Sequence, residues 1–128
     1  MTVCEAVRIH LASLKGGHAR FQDTLALIDR YFDYQPAGFH NGPIYNAAGD
    51  NAGSCRVLAL GQHCNLNDTD TLRLFAEHHQ QVLGDPTGDS HANIRQFMAT
   101  GWSGVRFDQP PLRARAGQDT HNNTEETP

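Results

Sequence analysis

The sequence predicts a mainly α fold, a compact bundle of about five helices with a long Gly/Asn-rich loop before a buried third helix. Three observations carry that expectation. Apolar residues recur at three- and four-residue spacing in five separate segments. Each segment is bounded by residues that start or stop helices. Runs of alternating polarity, the mark of a half-buried strand, are almost absent.

Thr2 and Glu5 have the spacing of a capping box, and Val3, Val7, Leu11 and Leu14 follow on one face until Gly16 and Gly17 stop the first helix. A second helix begins near Gln22 and Asp23, turns Leu25, Ile28, Tyr31 and Phe32 inward, and ends before Pro36. Residues 36–53 hold four glycines and three asparagines, residues that tolerate left-handed backbone, so they read as one long irregular loop. Ser54 is placed to cap a third helix whose Val57, Leu58, Ala59 and Leu60 are apolar almost all round, as a buried helix requires.

Asn67 and Asp70 open a fourth helix carrying Leu72, Phe75, Ala76, His79, Val82 and Leu83, closed by Gly84. The fifth runs from about His91 to Thr100, burying Ile94, Phe97 and Met98, with Gly101 at its end. Residues 102–107 allow one short extended segment. Beyond Gln109 the chain offers little apolar surface except Leu112. Residues 1–108 are therefore expected to form a single domain and residues 109–128 a disordered tail.

Composition narrows the function. A formal charge of −4, with ten Lys and Arg against fourteen Asp and Glu, leaves no broad basic face for nucleic acid. No apolar run approaches the ~18 residues needed to cross a bilayer. Three cysteines, Cys4, Cys55 and Cys64, make an odd count without a C-x-x-C pair, so no disulfide framework and a reducing compartment are expected. The sequons at Asn67 and Asn122 then read as chance matches. The histidines and cysteines fit no recognised zinc spacing, and Asp50-Asn51 lacks the further oxygen ligands of a calcium loop. No metal and no cofactor are expected.

Three blocks together resemble the HopJ type III effector family. They are Phe21-x-Asp23-Thr24-Leu25-x-Leu27-Ile28-Asp29, leading to Tyr31 and Pro36; Phe39-x-Asn41-Gly42 through Asn46-x-Ala48-Gly49-x-Asn51-x-Gly53-Ser54-Cys55; and His91-x-Asn93-Ile94-Arg95-x-Phe97-Met98 with Gly101-Trp102-x-Gly104. The resemblance covers roughly residues 5–107. It implies a protein grouped with effectors that plant-pathogenic bacteria inject into host cells, and it implies no reaction. The chain departs from the family pattern at Ala47, Leu58, Leu60, His78, His79 and Ser90. On this basis a bacterial cytoplasmic location is expected, with secretion by a type III system as the family's implication.

Cys55 is the candidate nucleophile, because a thiol in the first turn of a helix meets the positive end of the dipole and is pushed toward thiolate. His91, opening another helix in a polar block, is its candidate base. Arg95 lies one turn further on and can grip an anion or pair with Asp85 or Asp89. Asn41, Asn46, Asn51, Ser54, Asn93, Arg95 and Trp102 are the candidate binding residues. The two asparagine-rich blocks are expected to share one pocket, with Asn41 and Asn46 bonded to the loop's own backbone. The leading expectation is a non-catalytic protein that binds an unidentified protein or small molecule. The alternative is a cysteine-dependent hydrolase or transferase using Cys55 and His91.

Overall fold

The computed structural model describes residues 1–121. Helix α1, Val3–Lys15, begins on the expected capping box: Glu5 N–H donates to the Thr2 hydroxyl (3.1 Å) and Thr2 N–H to the Glu5 carboxylate (2.8 Å). Helix α2, Phe21–Tyr31, passes directly into strand β1, Phe32–Tyr34, where the aromatic and charged residues no longer follow a helical stripe. Strands β2, Phe39–Asn41, and β3, Ile44–Asn46, form a hairpin around Gly42 and Pro43. Gly42 suits that turn through its backbone first and its close neighbour second. Its φ is 58°, and a Cβ would stand 2.5 Å from the Gln96 side chain.

Helix α3, Ala52–His63, is the buried one, with Val57, Leu58 and Leu60 fully enclosed. Its N-cap is Asn51 in a left-handed conformation, so Ser54 lies inside the first turn and does not cap it. The expected fourth helix is two, α4, Asp68–Arg73, and α5, Glu77–Leu83, separated where Ala76 takes a φ of 53°. Helix α6, Ala92–Thr100, starts after His91 and ends at Gly101 as expected. A 3-10 turn, Gly101–Gly104, leads into strand β4, Val105–Phe107, and strand β5 follows at Leu112–Ala114.

The described residues therefore mix six α-helices with two small antiparallel sheets, and the expectation of a mainly α bundle is corrected. One sheet has the order β3-β2-β4, the other pairs β1 with β5. Every strand is three residues long, too short to display a period-two pattern above a helical background. Residues 109–121, expected to be part of a disordered tail, supply β5 and its neighbours. Phe32 pairs with Ala114 and Tyr34 with Leu112, and Val3 N–H donates to the Asp119 carbonyl (2.8 Å). The rest of that expected tail, 122–128, lies outside the described residues.

The core gathers Phe39, Phe75, Phe97, Ile28, Leu58, Leu60 and Leu74 from both helices and sheet. Met98, expected inside, is 44% exposed, because α6 turns that face to solvent. The cysteine expectation is also corrected. Cys4 on α1 and Cys64 at the end of α3 form a disulfide with Cα atoms 5.5 Å apart, leaving Cys55 as the free thiol. An odd count says nothing about which two of three cysteines the fold brings together. No helix among the described residues is long and apolar enough to cross a membrane.

Candidate functional site

The hairpin and α6 meet through side-chain amides. Asn41, Asn46 and Asn93 are all buried, and α6 sets Asn93 against both strands of the hairpin. Asn93 Nδ2 donates to Asn46 Oδ1 (2.9 Å), and Asn46 Nδ2 returns a bond to Asn93 Oδ1 (3.2 Å). Asn41 Nδ2 donates to the Asn93 backbone carbonyl (2.9 Å) and to Asn93 Oδ1 (3.0 Å). Asn51, at the start of α3, adds a bond to Asn46 Oδ1 (2.7 Å).

Four of the predicted binding residues thus converge, and they bind each other. Asn46 also reaches the Phe39 carbonyl, as a loop-ordering role requires, whereas Asn41 spends its amide on α6 rather than on its own loop. One acceptor, Asn41 Oδ1, stays buried without a partner among the described residues.

Cys55 and His91 are not brought together. The Cys55 side chain is fully buried, and its thiol points to the Ala37 carbonyl (3.8 Å). The Tyr34 hydroxyl lies close enough to influence the thiol, and the Arg56 guanidinium covers the Tyr34 ring (5.2 Å). Burial pushes the Cys55 thiol up to about 11, and the Ala37 backbone bond and nearby Arg56 offset only part of that. Desolvation therefore outweighs the helix dipole that would favour thiolate.

His91 faces another way. Its Nε2 meets Gln81 Oε1 on α5 (2.7 Å), and its ring lies against His78 (4.9 Å between centroids). Its pKa is lowered, first by burial and then by the positive character of His78 and Arg95. Arg95 turns to the loop before α6. It donates to the carbonyls of Ser90 and Asp85 and lies 3.9 Å from the Asp85 carboxylate, so it clamps that turn rather than a ligand. Ser54 is half-buried with no polar partner among the described residues. Trp102 is half-buried; its Nε1 donates to the Leu66 carbonyl (2.8 Å) while its ring edge meets Phe97 (5.0 Å).

The expected shared pocket is thus a packed polar seam, centred on Asn93, with His91 and Arg95 on its far side. Sequence reasoning gave no structural role to several residues that hold His91 or tie the β1–β5 pair. Gln81 and His78 hold His91, and Arg115 ties β5 to Asp33 (2.8 Å), to Asp29 (3.5 Å) and to the Phe32 carbonyl (3.0 Å). Arg115 carried no signal because its partners are some 80 positions away in sequence. No group of three or more potential metal ligands occurs among the described residues.

A family model for the HopJ type III effector protein matches residues 8–112, which runs into the first residue of β5. The chain is also similar to the crystal structure of an unknown-function protein, VPA0580. The two share 36% of their sequence with a TM-score of 0.78, over 84% of this chain and 92% of that one. No curated protein matches.

Proposed function

This chain belongs to the HopJ type III effector protein family, and from that premise we propose that it works by binding a partner, without cysteine chemistry of its own. The observation that carries the reading is the burial of Cys55. A nucleophile needs a solvent path and a base within hydrogen-bond reach. This sulfur is enclosed, its thiol is held protonated at neutral pH, and its hydrogen is directed at a main-chain carbonyl. The asparagine seam is structural on this reading: its amides are spent on one another and fix the hairpin to α6. The family's description, a type III effector protein, supports a reading in which the chain is made in a bacterial cytoplasm and delivered to a host cell.

Thiol counting tests it, because the Cys4–Cys64 disulfide leaves a single reporter. The folded chain, kept free of reductant at pH 8, is treated with iodoacetamide and its mass followed with time. Cys55 is expected to stay unmodified while folded, to take one label when unfolded in guanidinium, and to be joined by Cys4 and Cys64 only after reduction. Labelling of the folded chain at the rate of free cysteine, slowed by His91→Ala, would instead establish the hydrolase or transferase alternative.

A further inference from the structure

We propose that the cleft between the C-terminal end of α1 and the α4–α5 pair binds a small organic anion, a carboxylate or phosphate monoester carrying a short apolar body. The proposal rests on the binding reading above and gives it a place. The cleft encloses about 590 Å³, within the range of small-molecule sites. Leu14 and Leu83 line it with apolar surface, while Lys15, Arg20, Arg73 and Glu77 supply charge.

The charges do not cancel. Arg20 lies 3.5 Å from the Glu77 carboxylate, and the other Glu77 oxygen accepts the Phe21 N–H (2.8 Å). The one carboxylate lining the cleft is therefore already used. Lys15 and Arg73 have no ion pair and no side-chain hydrogen bond among the described residues. Arg73 is half-buried, where an unpaired guanidinium is unusual. The arginines that organise the fold behave otherwise: Arg95 and Arg115 are both saturated by carboxylates and carbonyls.

Two cations without an ion pair among the described residues, Lys15 at the surface and Arg73 half-buried, stand on a cleft lined by both polar and apolar side chains. In a chain of net charge −4 they match an anionic head with a short apolar body. Arg73 offers the planar fork that grips carboxylate or phosphate through two parallel bonds, and Lys15 adds a point charge. His79 forms part of the same wall. Burial, and then Arg73, lowers its pKa, so it presents a neutral ring edge near pH 7. A pair of cations in a concave cleft suits a small molecule better than a nucleic-acid backbone, which needs a row of them.

The test is a 1H–15N NMR titration of the full chain with hexanoate and with phenyl phosphate, using hexanol as the uncharged comparison. Saturable shifts are expected from residues 14–20 and 73–84 with one or both anions and not with hexanol; which anion binds tighter identifies the head group. The double variant Lys15→Gln, Arg73→Gln should weaken binding at least about tenfold, the loss of roughly one charge-assisted contact. Arg73→Lys should fall between, and Arg106→Gln, at an exposed position of β4, should change nothing. Shifts that never saturate, that follow hexanol equally, or that survive the double variant would overturn the proposal. Such a failure with Cys55 still inert removes this cleft and leaves the binding reading standing; a reactive Cys55 removes that reading itself.

Discussion

Asn93 accepts from two asparagines and donates to one of them, all inside the protein. Removing it takes a hydrogen bond from each of the buried amides of Asn41 and Asn46, which keep only their bonds to main-chain carbonyls and to Asn51. An unmet buried polar group costs about 1–3 kcal/mol. Asn93→Ala is therefore expected to lower the melting temperature by about 8 °C or more, read by calorimetry. A change under a couple of degrees would mean that the seam is not a structural lock. The sequence singled out each of these asparagines, since their spacing is too specific for simple loop filler. It could not show that their amides face one another, because the reciprocal pair joins residues 47 positions apart. Cys55 illustrates the opposite limit. Its place in the first turn of a helix was legible, but the sign of its pKa shift depends on Ala37, Tyr34 and the core packed round it.

At the level of elements, helices were legible and strands were not, for a physical reason. A helix announces itself through several local signals at once: the Thr2–Glu5 box, the Asn67 cap and the Gly101 stop are each visible within a few residues. A three-residue strand is specified mainly by its distant partner. Strand β5 is the clearest case, since Leu112–Ala114 looks like tail until Phe32–Tyr34 lies beside it. The break at Ala76 was hidden too, because an apolar stripe continues across it and alanine ordinarily favours helix. Docking of β5, with Pro111 buried and Arg115 bonded to α2 and β1, predicts that a chain ending at Asp108 will be destabilised. A drop of at least about 5 °C in melting temperature is expected, corresponding to roughly 1 kcal/mol or more. An unchanged melting curve would show that β5 merely rests on the surface.

Across the whole molecule, acidity acts on several elements in the same direction. His10 on α1, His79 on α5 and His91 at the start of α6 all have lowered pKa values, in each case through burial first. For His10, Asp23 opposes the shift, and its Nε2 is hydrogen-bonded to the buried Thr24 hydroxyl (2.6 Å). For His79 and His91, neighbouring positive groups, Arg73 for one and His78 with Arg95 for the other, reinforce it. A histidine whose folded pKa lies below its unfolded value of 6.5 binds protons more readily when the chain unfolds. Its contribution to stability is thus complete above pH 6.5 and is lost as the pH falls through the folded value. The three contributions share that sign, so the urea midpoint should hold from pH 7.5 to about pH 6.5 and fall from there to pH 5, before most carboxylates titrate. His10→Gln, which can keep a polar contact with Thr24 without titrating, should flatten part of that slope. A midpoint that stays level or rises over this range would show that the histidines are not held neutral by the fold, and the packing described around Thr24, Arg73 and His78 would have to be looser than it is here.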